Sequence, residues 1–270
     1  WMRTLGGAAI AKPVVIQGVG SQGLSAVVAA KESGAFPIII TGLTADAARL
    51  ALARELGADI TGGGTSLVTI RGVEALHPIE HKVIPDRLEA GTFAVAAAIT
   101  TGDVTITGCH PDHLRMELRK LEDAGCDVER GDGWLRVKGP ERPTPVDFST
   151  LPFPGFHTDM HPQMVALLTL ASGTSVVTEN LYDARFRYVG EMARMGADIS
   201  IEAQHAIVRG VDRLSGCPVL SPDIRAGAAL VLAGLRADGV TEVGGAVHID
   251  RGYQDFVGRL AALGASVERS

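Results

Sequence analysis

The chain has 270 residues, of which 46% are hydrophobic, enough for about two globular domains with buried cores. The formal net charge is −6 and there is no basic run to neutralise phosphates, so we expect no nucleic-acid partner. No apolar run approaches the roughly 20 residues of a membrane span, and we therefore expect a cytoplasmic protein without a membrane partner.

The first predicted elements surround a glycine-rich turn. Residues 13–23 read PVVIQGVGSQG, an apolar strand followed by Gly18, Gly20 and Gly23 at the spacing of a phosphate-binding turn. The stretches LSAVVAAKES, FPIIITG and TADAARLALARELG continue a strand–helix–strand–helix order. The sequence therefore predicts a partial Rossmann-like βαβα segment over residues 1–62.

This segment resembles half of the coenzyme domain of zinc-type alcohol dehydrogenases, which implies that the three glycines would bind NAD(P). An acidic residue is expected at the end of the second strand to bind the ribose, but the chain has Thr41-Gly42 there. The zinc ligands of that family have no counterpart either. NAD(P) therefore remains only an alternative cofactor, and the favoured interpretation requires none.

A repeat occupies the rest of the chain. Four predicted helix ends read ELGADI, DAGCDV, RMGADI and ALGASV, and their glycines, at 57, 125, 196 and 264, are 68, 71 and 68 residues apart. Between them, a buried helix, a strand, an amphipathic helix and a hairpin recur. The sequence predicts an α/β lobe of three related units over residues 63–270, for which helices inside and sheets outside is one arrangement.

The cysteines do not suggest a metal site or a disulfide framework. There are three, and they have neither CxxC nor metal-ligand spacing. We expect Cys109, Cys126 and Cys217 to be reduced thiols and expect no metal site.

The segment TLPFPGFHTDMHPQM, residues 150–164, is the strongest candidate for chemistry. Asp159 follows a Pro/Gly-rich loop and precedes an apolar helix. One interpretation makes it a helix N-cap, because Asp86 in IPDRLE and Asp223 in SPDIRA occupy the equivalent point of their units. The other interpretation gives it a chemical role.

Long ordered stretches favour the chemical role. HKVIPDRLEAGTFAVAAAI, PGFHTDM, TENLYDARFRYVGEMARMGADI, SPDIRAGAALVLAGL and VHIDRGYQDFVGRLAALGA resemble the bacterial UDP-N-acetylglucosamine enolpyruvyl transferases (1-carboxyvinyltransferases) from about residue 62 onward. The resemblance implies a fold of βαβαββ units and two small-molecule substrates, UDP-N-acetylglucosamine and phosphoenolpyruvate. The implied activity belongs to peptidoglycan synthesis and needs no cofactor.

The resemblance also assigns residues. Asp159 falls at the place of the base that takes a proton from the attacking sugar hydroxyl. Arg225 and Arg251 fall where the family directs guanidinium groups toward the anionic reactant. Such groups suit carboxylate and phosphate.

Leu181, Tyr182 and Arg185 fall on the turn that contacts the nucleotide-sugar, where Tyr182 would lie against the uracil ring. The family's other lobe, with its lysine and its mobile loop, has no counterpart in the chain. We therefore expect an incomplete enzyme, joined to the Rossmann-like segment somewhere in 45–66. The alternative is an NAD(P)-binding module with the repeats as a scaffold.

Overall fold

The computed structural model describes residues 14–17, 26, 29–30, 38–41, 47–62, 68–71, 73–75, 77–80 and 82–269. These residues belong to two compact units, 1–83 and 84–270. Gly18, Gly20 and Gly23, the predicted phosphate-binding turn, lie outside the described residues.

The first unit contains a mixed four-stranded sheet. Its elements are β1 Val14–Gln17, β2 Ile38–Thr41, α1 Ala47–Glu55, β3 Asp59–Thr61 and β4 Val68–Arg71. β1 and β2 are parallel, as a Rossmann-like segment requires, but β4 pairs antiparallel with both β2 and β3. A Rossmann half is parallel throughout. The unit therefore differs from the prediction, because β4 lies antiparallel between β2 and β3.

The second unit begins with α2 Arg87–Ile99 and β5 Asp103–Thr107. The elements that follow are α3 Arg115–Asp123, β6 Asp127–Gly131, β7 Trp134–Lys138, β8 Phe148–Ser149, α4 His161–Leu168, β9 Thr174–Thr178, α5 Val189–Arg194, β10 Asp198–Glu202, β11 His205–Arg209, β12 Pro218–Leu220, α6 Ile224–Gly234, β13 Glu242–Gly244, α7 Val247–Asp250 and α8 Phe256–Ala262. Short 3₁₀ turns cover Pro111–Leu114, Thr158–Met160 and Asp183–Tyr188.

Three apolar helices form the centre of this unit. α2, α4 and α6 pack against one another, and every residue of α4 is buried. Small residues allow the close approach: a Cβ atom at Gly91 of α2 would lie 2.9 Å from the Met160 side chain. The helices of this unit therefore lie inside, as in the arrangement considered from the sequence.

The sheets of the second unit repeat one pattern to different extents. β5, β7 and β6 form an antiparallel sheet, and β12 pairs with β13 in parallel. The largest sheet has the order β8-β9-β11-β10, with β8 and β9 parallel and the later pairs antiparallel. The first unit has the same order and directions in β1-β2-β4-β3. Its sheet therefore has the topology of a repeat.

The four glycine helix ends have one geometry. Gly57, Gly125, Gly196 and Gly264 all have positive φ, from 91° to 95°. In each case the glycine N–H donates to the carbonyl three residues earlier, and the following N–H donates to the carbonyl five residues earlier. These paired bonds terminate a helix with a left-handed residue, a conformation that costs glycine little. The period seen in the sequence is thus a period of structure.

None of the helices in the described part of the chain combines the length and the apolar character that a membrane crossing requires.

Candidate active site

Asp159 lies in the 3₁₀ turn Thr158–Met160, immediately before α4, and it does not cap that turn. Its own N–H donates to His157 Nδ1 at 3.0 Å, so the His157 side chain is the cap. Asp86 and Asp223, in contrast, accept backbone N–H groups at the starts of α2 and α6. The capping interpretation is therefore correct for Asp86 and Asp223 and wrong for Asp159.

Two arginines hold the Asp159 carboxylate instead. Arg185 Nη2 donates to Oδ1 at 2.6 Å, and Arg225 Nε donates to Oδ2 at 3.3 Å. The side chains of Arg185 and Arg225 are only 7% and 14% exposed, while that of Asp159 is 29% exposed. Two guanidinium groups against one carboxylate leave a net positive charge at a partly accessible site. Such a site favours an anionic ligand.

Aromatic rings orient both guanidinium groups. Arg185 Cζ lies 4.8 Å from the centroid of the Tyr182 ring, and Arg225 Cζ lies 5.4 Å from that of Tyr253. Arg225 Nη1 is buried and has no hydrogen-bond partner among the described residues. Arg225 therefore has a donor that no described residue satisfies.

Arg251 is the predicted residue that the structure does not bring onto Asp159. It is exposed at the end of α7, and its side chain makes no hydrogen bond or ion pair with the described residues. The next residue is close to the site, because a Cβ atom at Gly252 would lie 3.4 Å from Arg225 Nη1. Of the predicted sugar-binding turn, Arg185 is buried, whereas Leu181 and Tyr182 remain exposed.

Glu179 is a buried carboxylate beneath this site, and no sequence pattern singled it out. It is 3% exposed and follows β9 directly. Its oxygens accept five hydrogen bonds of 2.7 to 3.1 Å, from the hydroxyls of Thr150 and Thr158, the N–H groups of Leu181 and Tyr182, and Nδ1 of His161.

The hydrogen bonds keep Glu179 ionised in spite of its burial. Burial alone would raise its pKa, but donation from His161, Thr150, the Leu181 N–H and Thr158 outweighs burial and lowers the pKa to about 2. Burial lowers the pKa of His161, and its hydrogen bond to Glu179 only partly offsets this. The imidazole is therefore neutral at pH 7, with its proton on Nδ1.

Thr158 connects Glu179 to the arginine–aspartate cluster. Its hydroxyl donates to Glu179 Oε2 at 2.9 Å and accepts a hydrogen bond from Arg185 Nε at 3.1 Å. Arg185 in turn donates to Asp159. A continuous chain of hydrogen bonds thus runs from a buried anion to the accessible carboxylate.

The described part of the chain shows no metal site, and its most strongly perturbed thiol is an unreactive one. No group of three or more His, Cys, Asp or Glu side chains there is arranged to hold a metal ion. The three cysteines are free, and burial raises the pKa of Cys126 to about 12. A thiol with that pKa is a poor nucleophile at pH 7.

A model of the EPSP synthase family (3-phosphoshikimate 1-carboxyvinyltransferase) matches residues 2–260. The chain belongs to this family. Because the match begins at residue 2, it includes the segment interpreted above as Rossmann-like, in agreement with the mixed sheet of the first unit.

Curated relatives narrow the resemblance. The chain is 56% identical over 215 residues to the UDP-N-acetylglucosamine 1-carboxyvinyltransferase of Nocardia farcinica, a match to 80% of this chain and 50% of the relative. It is 53% identical over 215 residues to the enzyme of the same name from Mycobacterium tuberculosis, covering 51% of that protein. The chain thus spans about half the length of the curated relatives it matches.

Solved structures agree on the fold. The enolpyruvyl transferase NikO from Streptomyces tendae matches with a TM-score of 0.72 and 27% identity, over 86% of this chain and 56% of that one. EPSP synthase from Acinetobacter baumannii matches with a TM-score of 0.63 over 96% of this chain and 64% of that one. At 19% identity, the second match shows the fold alone.

Proposed function

We propose that the chain is part of an enzyme that transfers the enolpyruvyl group of phosphoenolpyruvate to UDP-N-acetylglucosamine, in the synthesis of peptidoglycan precursors. The observation that carries the proposal is that the Asp159 carboxylate caps no helix and accepts hydrogen bonds from Arg185 and Arg225. The 56% identity to a relative named for this reaction supports the choice of acceptor.

Asp159 and the arginines suit the steps of this reaction. The sugar hydroxyl oxygen adds to C2 of phosphoenolpyruvate and loses its proton while C3 gains a proton. C3 then gives up a proton as inorganic phosphate leaves and the double bond re-forms. Asp159 is the group that accepts the proton, which requires its carboxylate to come within hydrogen-bond distance of that hydroxyl. Arg225, with its unpartnered Nη1, and the exposed Arg251 supply donors for the carboxylate and phosphate of the second reactant.

The turn after β9 is the proposed contact for the nucleotide-sugar. Tyr182 is 44% exposed, and Arg185 packs against its ring, so the ring is held in place while an area remains accessible. Such a ring can stack against uracil. Leu181 presents an exposed apolar side chain beside it.

The chain alone is not expected to carry out the transfer. It spans half of its curated relatives, and positioning two reactants together supplies about 7 to 11 kcal/mol of barrier lowering in well-oriented systems. We propose that this contribution requires the part of the enzyme that the chain lacks. The reaction as proposed needs no cofactor, and the cytoplasmic location predicted from the sequence stays a prediction.

A hybrid enzyme tests the proposal. In the hybrid, the 215 matched residues of this chain replace their counterpart in the Nocardia farcinica relative. We expect phosphate release that depends on both phosphoenolpyruvate and UDP-N-acetylglucosamine. Shikimate 3-phosphate serves as the control acceptor and should give no release above background. A folded hybrid that is inactive with the sugar nucleotide, or that prefers shikimate 3-phosphate, contradicts the proposal.

A further inference from the structure

We propose that Glu179 is a positioning residue, which holds Arg185 and the turn at residues 181–182 in place for catalysis and acts on Arg185 through Thr158. This inference rests on the proposed function but adds a residue that touches neither reactant in that proposal. Its basis is the geometry around one buried carboxylate.

Glu179 joins segments that are far apart in the sequence. Oε1 accepts from Thr150, near the end of β8, and from the N–H groups of Leu181 and Tyr182. Oε2 accepts from Thr158 and from His161, in the turn that carries Asp159 and at the start of α4. The carboxylate thereby fixes the loop that presents the proposed base and the loop that presents the proposed sugar contacts relative to each other.

Thr158 links Glu179 to Arg185 and, through Arg185, to Asp159. Its hydroxyl has a single proton, which it donates to Glu179, so its lone pairs are free to accept the Arg185 Nε–H. With Nε fixed in this way, the planar guanidinium group directs Nη2 to Asp159 Oδ1 at 2.6 Å. The position of Arg185, and through it the orientation of Asp159, therefore depends on an acceptor at residue 179.

A neutral amide at residue 179 does not satisfy the same partners. All five groups around Glu179 donate, whereas the NH₂ group of glutamine also donates. If that NH₂ replaces Oε2, His161 must move its proton from Nδ1 to Nε2. His161 Nε2 is buried and has no partner among the described residues, so this tautomer leaves a donor unsatisfied. Glu179→Gln is therefore a nearly isosteric change that disrupts the network.

The first experiment uses the full 270-residue chain and observes the Arg185 Nε–H signal by ¹⁵N NMR. We expect the wild-type signal to be protected from exchange, because the side chain is buried and hydrogen bonded. In Glu179→Gln the exchange should accelerate by about tenfold or more. The matched control is Glu202→Gln, the same change at an exposed position in β10, and it should leave the signal unchanged.

A second pair of variants tests the proposal even if Glu179→Gln does not fold. Thr158→Ala should reproduce the loss of protection, and Thr158→Ser, which keeps the hydroxyl, should restore it. The proposal is overturned if Arg185 Nε–H retains its shift and protection in folded Glu179→Gln or in Thr158→Ala.

The hybrid enzyme provides the kinetic readout. Misplacement of a catalytic group by about 1 Å can cost about a hundredfold in rate, so we expect Glu179→Gln to lower kcat by about that factor, with Glu202→Gln unaffected. If Glu179→Gln lowers the melting temperature and leaves kcat unchanged, the role of Glu179 is only structural and the proposal is overturned. If the wild-type hybrid is inactive, the proposed function fails, while the NMR experiment still decides whether Glu179 positions Arg185.

Discussion

Arg185 reaches two adjacent residues with one guanidinium group: Nη2 lies 2.6 Å from Asp159 Oδ1, and Nε lies 3.1 Å from Thr158 Oγ1. Lysine keeps the charge but lacks the planar fork that makes both bonds at once. We predict that Arg185→Lys lowers kcat/KM of the hybrid enzyme by about tenfold to a hundredfold, the loss expected for a hydrogen bond to a charged group. The control is Arg209→Lys in β11, where Arg209 forms an exposed ion pair with Asp198 of β10. This change should alter kcat/KM little.

Asp86 is predicted to stabilise the fold as a helix cap. It accepts the Leu88 N–H at 2.8 Å at the start of α2. Asp86→Ala should lower the free energy of unfolding, measured with urea, by about 1 kcal/mol, whereas Asp86→Ser keeps a capping oxygen and should cost less. Equal losses in the two variants would show that the hydrogen bond does not stabilise the helix.

Gly196 tests the left-handed helix ends. It has a φ of 91°, and no atom lies within 4 Å of the place where a Cβ would be. Gly196→Ala should therefore cost about 1 to 2 kcal/mol from backbone conformation alone. Gly190→Ala meets equally open space inside α5 and should stabilise by up to about 1 kcal/mol. Thermal unfolding of the two variants should shift the melting temperature in opposite directions.

The ionised Glu179 makes stability depend on pH. Its pKa is about 2 in the folded chain and ordinarily 4.5, so the unfolded chain binds this proton first as the pH falls. The stabilisation is complete above pH 4.5 and is lost as the pH falls toward 2; it amounts to about 3 kcal/mol. We predict that the stability difference between wild type and Glu179→Gln narrows over this window in urea titrations. A constant difference would contradict the assignment.

Local signals made the repeat predictable from the sequence. Each of the glycines 57, 125, 196 and 264 ends its own helix through bonds within six residues, so the sequence period reports the structural one. The sheet of the first unit was predicted wrongly because a βαβα order occurs both in a Rossmann half and at the start of a βαβαββ repeat. What distinguishes them is the pairing of β4 with β2, some 30 residues apart, which no local pattern encodes.

The residues of the candidate site were also predicted only in part. Resemblance singled out Asp159, Arg185 and Arg225, and the structure brings these three together. Glu179 was missed because an acidic residue after a strand is usually exposed. Its donors come from residues 150, 158, 161, 181 and 182, and only the folded chain assembles them.

The most direct test of the central claim measures phosphate release from phosphoenolpyruvate and UDP-N-acetylglucosamine by three proteins: the wild-type hybrid, its Asp159→Asn variant and the 270-residue chain alone. We predict release by the wild-type hybrid, and a loss in Asp159→Asn of about a hundredfold to ten-thousandfold with binding of UDP-N-acetylglucosamine largely retained. The chain alone should release none. Undiminished release by Asp159→Asn, or turnover by the chain alone, would contradict the account.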